Sequence, residues 1–133
     1  MASSPIWLNL CIESVSAGHP SPLAEQAKEL VDINAHLIRN EIATYFFRVK
    51  GNAMIDAGIF DGDVLVVDRS IEPKHNDIVL VTLNNEFIVK RLFKRAGLVK
   101  LVSENPIYPP IVIKVNDEFA IWGLVTNSIH KLC

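Results

Sequence analysis

The sequence predicts a mainly β protein, in which an extended N-terminal arm and short helices precede a mostly antiparallel sheet. Three observations carry this reading. From residue 44 onward, short runs rich in β-branched and aromatic residues alternate with Gly, Pro, Asn and Asp. No helical crossover separates these runs, which favours antiparallel neighbours. Apolar residues recur at helical spacing in one stretch, residues 23–40.

Bulk composition fixes the class. A chain of 133 residues is long enough for one domain with a real core. With 50% apolar and 21% charged residues, it is globular in composition rather than disordered. The longest apolar runs, such as Val64-Leu65-Val66-Val67, fall far short of the ~20 residues that span a bilayer, so no membrane role is expected. No basic leader with an apolar block opens the chain, so no signal peptide is expected. Two cysteines, Cys11 and Cys133, make no CxxC pattern and suit a reducing cytoplasm. The four histidines show no metal-ligand spacing, so neither metal nor cofactor is expected. A net charge of −2 disfavours direct DNA binding. The local cluster Lys90, Arg91, Lys94, Arg95 reads most simply as a solvated strand end and turn.

In chain order, residues 1–17 form an arm. Ile6, Leu8, Leu10 and Ile12 alternate with Trp7, Asn9, Cys11 and Glu13, the period of an extended segment with one apolar side. So short a strand needs a surface to lie on. Residues 18–43 are expected to hold a linker and short helices. The Pro- and Gly-containing piece around Ala17-Gly18-His19-Pro20 avoids helix and sheet interiors. Over 23–40, Leu23, Ala27, Leu30, Val31, Asn34, Leu37 and Ile38 fall near one helical face, with Asp32 as the cap of a second short helix after a break near Val31.

Residues 44–133 form the β-rich body. Strands are expected at 44–50, 64–68, 78–83, 86–93, 98–103, 111–115 and 119–129. Asp61-Gly62-Asp63 turns into the second of these, and Asn84-Asn85 makes a two-residue hairpin.

Four motifs in this order carry a family resemblance: Ala17-Gly18 followed by Pro-Ser-Pro, the run Gly51-Asn52-Ala53-Met54-Ile55-Asp56, Asp61-Gly62-Asp63, and Val89-Lys90-Arg91-Leu92. The chain resembles UmuD-like proteins, the mutagenesis relatives of the LexA repressor's self-cleaving domain, over about residues 12–133. That resemblance implies a LexA- and signal-peptidase-like β fold. It implies a Ser–Lys dyad that cuts the chain's own Ala17–Gly18 bond when stimulated by a RecA–single-stranded DNA filament. The cut homodimer would then serve a UmuC-like subunit of an error-prone translesion polymerase in the SOS response, with no cofactor. On family grounds, the strand 119–129 is a candidate dimer edge. A LexA-type repressor would carry a helix-turn-helix domain before the cut, and 17 residues before Gly18 are too few for one.

The chemistry of the motif residues can be read beside the resemblance. Lys90 shares a strand face with Ile88 and Leu92. Two readings stand for it: a desolvated amine that loses its proton readily, or a lysine that snorkels to water from a strand end. The family match favours the first, with Lys90 as general base. The backbone N–H groups around Met54 would form an oxyanion hole. Ala53 occupies the position where the family has its serine nucleophile. Alanine has no hydroxyl, and neither Asn52, Asp56 nor Ser70 stands at the matched position, so this chain is expected not to cut itself.

Two explanations stand for Ala53: a Ser→Ala replacement that traps the uncut precursor, or a natural pseudo-protease. The otherwise intact site favours the replacement. A rival reading is a non-enzymatic dimeric binding module, in which Lys90 is structural and the arm a permanent partner-binding segment. A further rival is the C-terminal-type domain of a phage or LexA-like repressor.

Overall fold

The structure, a computed structural model, describes residues 5–11, 15, 17–20 and 28–133, which fall into two compact units, Met1–Arg39 and Asn40–Cys133.

In the first unit the arm is a strand, β1 (Trp7–Cys11), paired antiparallel with β2 (Lys28–Asp32) from Trp7↔Asp32 to Cys11↔Lys28. This corrects the helical reading of residues 28–32. Local spacing favours a helix there, but the arm supplies a ladder of backbone partners, and such long-range pairing overrides a weak local preference. Residues 23–27 lie outside the described ones, as do 1–4, 12–14, 16, 21 and 22. The short helix expected to start at Asp32 is present as α1 (Ile33–Leu37). Asp32 is its N-cap. One carboxylate oxygen accepts the Asn34 N–H at 3.1 Å and the Ile6 N–H at 3.0 Å, so a single residue closes both the helix start and the hairpin.

The second unit is a seven-stranded sheet of β3 (Thr44–Arg48), β4 (Val64–Asp68), β5 (Ile78–Leu83), β6 (Glu86–Arg95), β7 (Leu98–Val102), β8 (Ile111–Val112) and β9 (Phe119–Ile129). Its order is β3-β4-β9-β5-β6-β7-β8, and every pairing is antiparallel, as the sequence predicts. Asn84 and Asn85 both take positive φ (50° and 68°), which the type I′ turn between β5 and β6 requires. β8 keeps two residues of the expected five. A turn begins at Lys114, whose N–H donates to the Asp117 carboxylate at 2.8 Å and whose carbonyl accepts the Asp117 N–H at 3.1 Å.

The placement of β9 corrects the dimer-edge expectation. It is an interior strand, bonded to β5 along Phe119–Leu124 and to β4 along Leu124–Ile129, and the sheet ends on β3 and β8. A register shift against each partner lets one long strand serve both neighbours. Gly123 lies at the crossover, where a Cβ would come 2.6 Å from Val67 Cγ1.

The core lies on both faces of the sheet. Leu80 of β5 joins Val49, Met54, Ile59, Leu65 and Val67, while Val79 and Val81 join Leu92 and Leu101. The middle strand of seven is thus buried on both sides, which explains its unbroken apolar run. Buried Asp63 ties the end of the chain to the start of β4. It accepts the Phe60 N–H at 2.8 Å, the Ser128 hydroxyl at 3.2 Å and contacts His130 Nδ1 at 2.5 Å. Among the described residues, no helix is long and apolar enough to cross a membrane.

Candidate active site

Lys90 sits in the middle of β6, opposite Val79 of β5, on the face that also carries Ile88 and fully buried Leu92. Only 7% of its surface is exposed, which decides between the two readings: the side chain does not snorkel. Its Nζ lies 2.5 Å from Ser103 Oγ and 5.4 Å from the centre of the Tyr108 ring. Among the described residues no carboxylate pairs with it. Burial therefore acts on the amine without an opposing charge and holds it below the usual lysine range.

The Gly51–Asp56 run forms a loop shaped by its own residues. Gly51 takes φ 95°, and its N–H donates to the Asp61 carboxylate at 2.7 Å. Met54, 1% exposed, plugs the loop into the core, and a single 3-10 turn (Ile55–Ala57) follows, ended by Gly58 at φ 80°.

Two hydrogen bonds then stitch the loop to the segment just after β7. The Asp56 N–H donates to the Glu104 carbonyl at 2.8 Å, and Asn105 Nδ2 donates to the Asn52 carbonyl at 2.9 Å. Ser103, the partner of Lys90, opens that same segment. The loop and the lysine, far apart in sequence, thus meet on Ser103-Glu104-Asn105. The segment is itself fixed, because the Glu104 carboxylate is paired with Arg91, whose Nη1 donates to the Asn76 carbonyl at 2.6 Å.

The Asn52, Ala53 and Met54 N–H groups have no hydrogen-bond acceptor among the described residues. A run of unpaired backbone N–H donors in one loop is able to receive a developing negative charge. Ala53 is half-buried in this loop and offers only a methyl group.

Of the residues expected to act together, Lys90 reaches Ser103 directly, while the loop of Ala53 and Met54 is tied to the same segment through their neighbours Asn52 and Asp56. Ala17 and Gly18 belong to the other unit, where both are exposed in a bend, and an added Cβ at Gly18 would meet nothing within 4 Å. The basic cluster divides: Lys90 is buried, Arg91 is ion-paired, and Lys94 and Arg95 are exposed at the strand end as expected.

The sequence reading missed Ser103, Glu104 and Asn105. Asn105-Pro106 reads locally as punctuation between strands, and nothing near it in sequence points to Lys90. Only the β6–β7 register, with Arg91 opposite Val102, places Ser103 beside the amine.

A family model described as Peptidase S24-like matches residues 9–126. Protein MucA of Salmonella typhimurium is 40% identical over 126 residues, spanning 92% of this chain and 85% of that protein. Protein SamA, also from Salmonella typhimurium, is 38% identical over 130 residues, spanning 98% of this chain and 87% of its own length. A LexA repressor from Bordetella pertussis is 37% identical over 116 residues, which are 87% of this chain but 53% of the repressor. With a match of this extent, the chain belongs to the Peptidase S24-like family.

Proposed function

We propose that this chain is a UmuD-like mutagenesis protein whose Ser–Lys site is built to cut its own Ala17–Gly18 bond, held here in a form without the nucleophile. The observation that carries the proposal is the buried, carboxylate-free Lys90 amine, bonded to Ser103 in the segment that also tethers the Gly51–Asp56 loop. A desolvated lysine has little structural justification, since burying a cation costs stability. It has a catalytic one, because the neutral amine accepts a hydroxyl proton.

In this reading a serine hydroxyl at position 53 attacks the Ala17 carbonyl and Lys90 takes its proton. The N–H groups of Ala53 and Met54 hold the oxyanion, and the protonated amine delivers the proton to the leaving Gly18 nitrogen. The bend at Ala17–Gly18, exposed and unhindered, is a fitting substrate. The pairing of β1 with β2 supports an arm that takes part in strand-like recognition.

The chain matches most of MucA and SamA but only about half of the LexA repressor, which favours the mutagenesis protein over the repressor. On the same family grounds the chain works in the cytoplasm as a homodimer, with a RecA–single-stranded DNA filament as stimulus and a UmuC-like polymerase subunit as partner. The intact remainder of the site favours Ala53 as a replacement for serine.

Ala53→Ser tests the proposal. Incubation at alkaline pH or with activated RecA is expected to yield fragments 1–17 and 18–133, seen by mass spectrometry. An Ala53→Ser protein that stays whole under both conditions refutes the peptidase reading.

A further inference from the structure

The missing hydroxyl at position 53 does not leave Lys90 without a hydroxyl. Ser103 Oγ lies 2.5 Å from Nζ, and the Nζ has no other hydrogen-bond partner among the described residues. Lys90 is 7% exposed, whereas Ser103 is half-buried and keeps part of its surface open to solvent. The Ser103 hydroxyl has no other hydrogen-bond partner among the described residues, so nothing but the amine orients it.

The segment carrying Ser103 is bonded through Glu104 and Asn105 to the loop whose Asn52, Ala53 and Met54 N–H groups are unpaired among the described residues. A base, a hydroxyl and oxyanion donors on one rigid frame are the parts of an acyl-transfer site.

We propose that Ser103 is itself a nucleophile activated by Lys90, open to small activated acyl and phosphonyl electrophiles. The inference rests on the same Lys90 as the peptidase reading but on a different oxygen. With an aryl ester, the Ser103 Oγ–C bond forms and the C–O bond to the aryl group breaks. The hydroxyl proton passes to Lys90 Nζ and from there to the departing aryl oxide. Water then hydrolyses the serine ester and returns the hydroxyl. With a fluorophosphonate the P–F bond breaks, fluoride leaves, and the adduct is permanent.

The test is to incubate the chain as it stands with a small fluorophosphonate, measure intact mass, and map the adduct by peptide mass spectrometry. One adduct on Ser103 is expected, formed faster as pH rises, lost in Ser103→Ala and at least about tenfold slower in Lys90→Met. Labelling that falls on another serine such as Ser70, that is absent, or that is unchanged in Lys90→Met overturns the proposal. Mapping on the parent chain locates the adduct independently of whether either variant folds, and circular dichroism establishes that each variant does. The two readings fail separately. Ala53→Ser can cut at Ala17–Gly18 while Ser103 stays unlabelled, and Ser103 can be labelled in a chain whose Ala53→Ser form stays whole.

Discussion

Replacing Lys90 by methionine should make this protein more stable while removing the proposed base. Lys90 is 7% exposed and lacks a carboxylate partner among the described residues, so burial penalises its charged form in the fold. Methionine has similar length and no charge, and it would lie against Ile88 and Leu92 with their face unchanged. The losses are one hydrogen bond to Ser103, worth about 1 kcal/mol, and the gain of water by Ser103 offsets part of that. The gains are relief of the desolvation cost and roughly one more buried apolar group, about 0.8 kcal/mol. A net stabilisation of roughly 1–2 kcal/mol at pH 7 follows, or about 3–8 °C in melting temperature for a chain of this size.

The pH dependence has a definite sign. Burial lowers the folded pKa of Lys90, so between the folded and unfolded pKa values the unfolded chain binds more protons. Parent stability therefore climbs with pH across that window, and the advantage of Lys90→Met shrinks toward alkaline pH. Urea unfolding followed by far-UV circular dichroism, from pH 7 to 10, measures both effects. A Lys90→Met protein that is less stable than its parent at pH 7, or whose difference from it is flat with pH, refutes the picture of a lysine whose buried charge costs stability.

Two further outcomes are expected. In Ala53→Ser, log cleavage rate should rise with a slope of about one per pH unit and level off below the reference lysine value of ~10.4, because burial lowers the Lys90 pKa. A rate that keeps climbing through that value contradicts the buried base. For Asp63, burial alone would raise the carboxyl, but the Phe60 N–H, His130 and Ser128 override it and hold it below the ordinary aspartate value. Its stabilisation is thus present above the unfolded pKa and lost as pH falls through the folded one. Asp63→Asn should cost about 1–3 kcal/mol at pH 7 and lose that acid-side dependence, read from melting temperatures between pH 2 and 7. Equal melting of the two proteins at neutral pH would show that the latch does not hold the chain end.

The strands were legible because their evidence is local. β4 and β9 have the predicted bounds, and so does β5, whose turn Asn84-Asn85 supplies the positive φ angles itself. Asp32 declared the helix cap for the same reason: its carboxylate reaches a backbone N–H two residues on. β2 was not legible, because its strand character comes from pairing with β1 some twenty residues earlier rather than from Lys28–Asp32 themselves. β9 was legible as a strand but not as an interior one, since the order of strands in a sheet is a long-range property.

The site divides in the same way. The sequence by itself determined the residues on which the proposed chemistry rests: a lysine between apolar residues on one strand face, and the Gly51–Asp56 loop with Ala53 and Met54. The tertiary structure alone decided that Lys90 is buried rather than snorkelled, and that Ser103 is its hydrogen-bond partner. It also decided that Glu104 and Asn105 hold the loop in place. The physical reason is that desolvation and a 2.5 Å contact depend on the register of β6 against β7, which brings residues thirteen apart in the chain side by side.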